Sequence, residues 1–221
     1  MTAQIHIRPV GTAKMRVSKI ADARDTLAAW GRGQEADIAT FGQFSIIDAL
    51  EAVLERTGPA DVTLATWTAA AFDLSQIQHQ VMSERIRSLR LIIDRSFVAR
   101  QPGFVDLIHD RFGKDCVRST RTHAKFVVVT NADWAVVMRT SMNLNFNPRL
   151  EYLQVVDDPS LAAFWLKIAD AIFKEEDPGL ENRRNVPELA SIAGLEPSTP
   201  VGMGLPPTMG TRPEMGNREA S

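Results

Sequence analysis

Apolar and polar positions alternate along this chain with two different periods, and the switches between them mark out its elements. "SIIDALEAVLERTGP" opens on Ser45, a capping residue, repeats apolar residues at helical spacing and stops at Gly58-Pro59, which predicts a helix with both ends marked. "DLSQIQHQVMSERIRS" predicts a second, with Leu74, Ile77, Val81 and Ile86 on one face, and "PGFVDLIHDRFG" a third, between Pro102 and Gly113. "PSLAAFWLKIADAIFKEE" predicts the last, opened by Pro159, with Leu161, Phe164, Trp165, Ile168 and Ile172 inward. Short runs with strand character stand between them: "DVTLATW", "LRLIID", "AKFVVVT", "WAVVMRT" and "EYLQVVDD". The third and fourth are separated only by "NAD" and are expected to pair as an antiparallel hairpin.

Strands alternating with helices of this length predict an α/β domain: a mixed, mostly parallel β-sheet flanked by helices on both faces. The expected domain covers residues 41–177. Residues 1–40 are expected to be an N-terminal extension, where "AKMRVSKIADARDTLAAW" has helical spacing through Met15, Ile20, Leu27 and Trp30 and "GRGQ" then turns. Residues 178–221 hold seven of the twelve prolines and six of the thirteen glycines without any hydrophobic period, so a disordered Pro/Gly/Met-rich tail is expected.

The 221 residues suffice for one full hydrophobic core, and the apolar share of 44% fits a soluble globular protein. The single cysteine, Cys116, excludes an intrachain disulfide and reads as a small core residue. No apolar run approaches membrane-spanning length, and the first residues carry basic groups without an apolar signal core. A cytoplasmic protein with no membrane partner is therefore expected.

The chemistry concentrates at strand ends. His123 and Lys125 are two apart, so they project from the same face of their strand. Ser141 and Asn143, again two apart, close the paired strand, and Glu151 opens the next. An imidazole, an ammonium, a hydroxyl and an amide together suit an oxyanion, most naturally a phosphate diester. A carboxylate suits the second ring nitrogen of a histidine, fixing its tautomer. No metal-ligand cluster appears, and neither a metal nor a cofactor is expected.

The succession "HAK", hairpin, "TSMN", "NPRLE" resembles the phospholipase D superfamily, whose motif is His-x-Lys, an Asp five residues after the Lys, and Gly-Ser-x-Asn. The helix, strand and Asp of "SERIRSLRLIIDRS" are also similar to the unit that precedes that motif. The resemblance spans about residues 45–176, and its specific part is Thr122 to Glu151. Thr130 stands where the family has its Asp, Asp133 lies nearby in the turn, and Thr140 replaces the Gly. The resemblance implies a phospholipase D-like fold with His123, Lys125, Ser141, Asn143 and Glu151 as catalytic residues. With one motif copy, it resembles the bacterial endonucleases of the family, which complete their site as homodimers. The implied reaction is metal-independent, with His123 as nucleophile forming a phosphohistidine and a second His123 protonating the leaving oxygen.

Charge narrows the substrate. Residues 84–125 hold ten Lys or Arg against five Asp or Glu, a local +5, while the rest of the chain stands at −7. A basic rim leading into the motif favours nucleic acid, DNA first and RNA second, with Arg118, Arg121 and Arg139 as expected substrate contacts. The other reading, supported by Thr130 and Thr140, is a catalytically degenerate member serving as a DNA-binding or structural protein of a phage or mobile element.

Overall fold

The structure, a computed structural model, describes residues 14–17, 22–145 and 148–180. Eight strands form one sheet among the described residues: β1 (Lys14–Val17), β2 (Glu35–Thr40), β3 (Ala60–Thr66), β4 (Ile86–Asp94), β5 (Val117–Thr120), β6 (Phe126–Thr130), β7 (Ala135–Thr140) and β8 (Glu151–Asp157). Their spatial order is β1-β2-β8-β7-β6-β3-β4-β5. The α/β class holds, but the sheet is more mixed than expected. The pairs β1–β2, β3–β4 and β4–β5 are parallel, while β2–β8, β7–β8, β6–β7 and β3–β6 are antiparallel. The hairpin β6–β7 and its continuation into β8 are wedged into the middle, so helical crossovers join only the flanking strands.

Helices cover both faces. On one lie α1 (Ala23–Leu27), α2 (Ile46–Thr57), α3 (Ala71–Met82), α4 (Ser96–Arg100) and α5 (Gly103–Phe112); on the other lies α6 (Pro159–Glu175). Strand alternation feeds both cores. In β6, Val127 and Val129 join the α1–α5 side and Phe126 and Val128 the α6 side. The α2 start is fixed by a capping box, Ser45 accepting from the Asp48 amide and Asp48 accepting from the Ser45 amide at 2.7 Å, worth about 1 kcal/mol.

Four expectations change at element boundaries. Lys14–Val17 is a strand rather than helix, and only Ala23–Leu27 of that stretch is helical. The expected extension before residue 41 supplies two strands, β1 and β2, with β2 hydrogen-bonded to both β1 and β8. The second helix ends at Met82, where Glu84 takes φ 57° and reverses the chain, so that Ile86 starts β4 instead of continuing the apolar helical stripe. β5, unforeseen, is a polar-looking strand whose four residues are all buried. The expected tail lies outside the described residues except for 178–180. Two of these pack back: the Gly179 amide donates to the Val117 carbonyl at 2.9 Å, and Leu180 is buried. Gly179 has φ +92°, and a Cβ there would stand 3.0 Å from His109 Nε2. No helix among the described residues is long and apolar enough to cross a membrane.

One buried acid ties stability to pH. Asp73, in the first turn of α3, is 2% exposed, and burial raises its pKa from 3.8 to about 6. The folded state therefore binds a proton that the unfolded state has released between those values. Stability is greatest below about pH 4 with respect to this group and falls as pH rises through 6, by about 3 kcal/mol in all. Asp73→Asn keeps the neutral shape, so it should raise the denaturation midpoint clearly at pH 8 and hardly at all at pH 4. Equal shifts at the two pH values would show that ionisation at Asp73 is not the cause.

Candidate functional site

The carboxyl ends of β2, β3 and β4, the amino ends of β6 and β8 and the end of β7 all lie on one edge of the sheet, as the strand registers require. In open α/β sheets this edge is where ligands bind. His123 and Lys125 precede β6 there, His123 exposed and Lys125 half-buried. The Lys125 Nζ lies 2.9 Å from His123 Nδ1 and 3.1 Å from its Nε2, and donates to the His123 carbonyl at 2.9 Å. Burial holds the Lys125 ammonium below the usual lysine range; the Glu151 carboxylate acts in the opposite direction and Arg149 in the same one.

Glu151 is 6% exposed and fully engaged within this chain. The Ser141 hydroxyl donates to its Oε2, and Arg149 Nε donates to its Oε1 at 2.5 Å. Ser141 Oγ also accepts from the Tyr152 amide at 3.0 Å. Thus Ser141 orients Glu151, and the carboxylate expected to take a histidine nitrogen holds a hydroxyl and a guanidinium instead. Asn143 is 7% exposed, with its amide oxygen buried and unpartnered. Its loop is pinned on both sides: the Met142 amide donates to Thr140 Oγ1 at 3.0 Å, and the Leu144 amide to Thr68 O at 3.2 Å and Thr66 Oγ1 at 3.3 Å.

Thr140 and Thr130 occupy distinct places in this arrangement. The Thr140 hydroxyl donates to the Tyr152 carbonyl at 2.6 Å while accepting from the Met142 amide, so it fastens the turn. Thr130 closes the far end of β6, five residues from Lys125 and so about 16 Å away along the strand. A carboxylate at 130 cannot orient His123. It would face Asp61, the cross-strand partner of Thr130. Thr130→Asp is accordingly expected to leave turnover unchanged and to lower stability by about 0.5 kcal/mol through like-charge contact; a gain of activity in a diester assay would contradict this placement. Asp133 sits at the same far end, where Arg32 pairs with it at 3.7 Å.

The three expected substrate arginines separate. Arg121 is exposed beside His123. Arg118 is only 9% exposed: its guanidinium donates to the Val117 and Asp115 carbonyls at 2.8 and 2.9 Å and lies 4.6 Å over the Phe173 ring. It fastens α6 to β5, and it is corrected from substrate contact to structural cation. Arg139 alternates onto the α6 side of the sheet and stands 3.9 Å from Glu35, on the opposite face from Val127 and Val129.

Two further residues stand at this edge without a distinguishing signal in the sequence: Trp67, whose ring is 5.7 Å from that of His123, and Arg149, on Glu151. Trp67 directly follows an apolar strand, the same signal that singled out Ser141, but a tryptophan there reads as core.

No protein-family model matches the sequence, and no curated protein matches it by sequence. Solved structures to which the chain is similar include Nuc, a phospholipase D family member from Salmonella typhimurium, at 13% identity over 65% of this chain and 97% of that one, with a TM-score of 0.46. NucT from Helicobacter pylori is similar at 13% identity, over 65% of this chain and 99% of that one, with a TM-score of 0.45. TrmBL2, an archaeal chromatin protein described with a novel mode of DNA binding, is similar at 9% identity over 70% of this chain and 58% of that one, with a TM-score of 0.42.

Proposed function

We propose that the chain is a metal-independent phosphodiesterase, a nuclease acting on DNA through a phosphohistidine intermediate in a site completed by a second copy. The observation that carries this reading is the Lys125 ammonium within hydrogen-bonding distance of both ring nitrogens of an exposed His123, in the "HAK" context. An arriving phosphate is a better acceptor for that ammonium than a neutral imidazole is. As the ammonium turns to the nonbridging oxygens, a ring nitrogen is freed to attack phosphorus. The P–O bond to the leaving oxygen breaks, and the His123 of the second copy supplies the proton. Water then attacks the phosphohistidine with that second imidazole as base. Lys125 and the Asn143 amide stabilise the pentacoordinate charge. Ser141 and Arg149 hold Glu151, whose negative charge favours Lys125 in its ammonium form.

Association of two copies is supported by exposed large apolar side chains near the site edge: Phe41 follows β2, Phe72 lies in the first turn of α3, Leu150 precedes β8 and Tyr152 is its second residue. In chelator, purified protein should cleave labelled DNA or bis(p-nitrophenyl) phosphate. Specific activity should fall on dilution in step with loss of the dimer by light scattering. Cleavage that requires an added divalent metal would sink the proposed chemistry, and a fully active monomer would sink the shared site.

A further inference from the structure

We propose that Asp94 is a positioning residue for His123, acting through a closed ring of contacts; this rests on the nuclease reading above. Asp94 ends β4, is buried, and uses its two oxygens in opposite directions. Oδ2 accepts from the Thr122 amide at 2.9 Å, fixing the residue immediately before His123. Oδ1 accepts from the Ser96 amide at 2.9 Å and from the Ser96 hydroxyl. Ser96 Oγ in turn accepts from Arg100 Nε at 3.2 Å. The Arg100 guanidinium donates to the Trp67 carbonyl at 2.8 Å and lies 3.8 Å from the centroid of the Trp67 ring. That ring stands 5.7 Å from the imidazole of His123. The circuit Asp94–Ser96–Arg100–Trp67–His123–Thr122 returns to its start.

The physical sense lies in what an exposed imidazole lacks. The Lys125 ammonium touches the ring nitrogens but leaves when phosphate arrives, so it cannot hold the ring during attack. Thr122, tied to Asp94 through its amide and to the Ala124 amide through its hydroxyl at 3.1 Å, fixes the backbone of the nucleophile. Trp67, held flat by Arg100, limits where the ring can turn. One carboxylate anchors both constraints. Asparagine cannot replace it, because both oxygens face N–H donors and an amide would aim an NH₂ group at one of them.

The test compares wild type, Asp94→Asn and Arg100→Ala by histidine side-chain NMR, with His123→Ala assigning the His123 signals, and by steady-state cleavage of bis(p-nitrophenyl) phosphate and labelled DNA. In both variants the His123 ring signals should shift or broaden. Turnover should fall with KM unchanged, by about 10²-fold for Asp94→Asn, the scale of a 1 Å misplacement, and less for Arg100→Ala. Both variants keeping wild-type ring signals and kcat, with only the melting temperature lowered, would overturn the proposal and leave Asp94 as a turn-forming residue. A rise in KM alone for Arg100→Ala would make that residue a phosphate contact and break the circuit. Should Asp94→Asn fail to fold, the surface-exposed Arg100→Ala decides the matter. Should wild type cleave no diester, the nuclease reading falls, and unchanged ring signals in the variants would then overturn the positioning role separately.

Discussion

His123→Ala is expected to abolish turnover, by at least about 10⁴-fold, while leaving DNA affinity near the wild-type value. In the proposed site shared by two copies, this one substitution would remove both the nucleophile and the group that protonates the leaving oxygen. Among the described residues the nearest groups do not replace them: Lys125 is a donor, and Glu151 is occupied by Ser141 and Arg149. Ground-state binding should rest on cations, Lys125 and the exposed Arg121 among them, so a neutral ring contributes little to it. Because His123 is exposed, folding should be unaffected, which a melting curve checks. Wild type and variant equally inert on every diester, yet equal in DNA affinity by filter binding, would replace the nuclease reading with that of a DNA-binding protein.

Lys125→Ala should lower both quantities, turnover by about 3 kcal/mol, or somewhat over 10²-fold, since in the proposed reaction the ammonium contacts phosphate in the ground state and more strongly as charge develops. The pH dependence carries the signature. Burial holds Lys125 below the usual lysine range, so its charge, and activity with it, should fade on the alkaline side earlier than an ordinary lysine would allow. The stability sign runs the other way. The folded state gives up this proton at lower pH than the unfolded state, so stability rises with pH across that window, and the charged lysine is a cost at neutral pH. The alanine variant should therefore melt no lower than wild type at pH 7 while losing function. A variant that loses melting temperature and turnover in parallel would assign Lys125 to packing. Function drawn from a locally unfavourable charge is the pattern expected of a site.

Much of this fold was legible because its strongest signals are local. The Ser45 cap with Asp48 three residues on, the Gly113 stop and the Pro159 start each act within one turn of helix, and each marks a real boundary. The β6–β7 hairpin declared itself through two apolar runs and the short turn "NAD" between them, which with Trp134 makes the four-residue connection of the structure. What stayed hidden needs partners distant in sequence. The strand β5, "VRST", has one apolar residue; it is buried because Arg118 finds backbone carbonyls and an aromatic face there. The β2 strand alternates strictly in burial, but four of its six residues are alanine or acid, too weak a pattern to read beside its neighbours. Ile86 fits a helical stripe and a strand equally well, and a left-handed Glu84 decides between them. At the site, the pair spacing brought out His123 with Lys125 and Ser141 with Asn143. The spacing could not say that Glu151 would face Ser141, that Arg118 and Arg139 would be committed elsewhere, or that Asp94 would reach Thr122 across 28 positions.

The short return of the chain after α6 has a consequence for how molecules behave in a crowd. β5 is a border strand, and border strands offer a row of amides and carbonyls to any other extended chain. Here the Gly179 amide already occupies the Val117 carbonyl, in a parallel bridge beside Arg118, and Leu180 anchors the segment in the core. The molecule thus covers part of that border with its own backbone, one of the devices that blunt strand-to-strand growth into fibres. This cover depends on a residue without a side chain, because a Cβ at 179 meets the His109 ring.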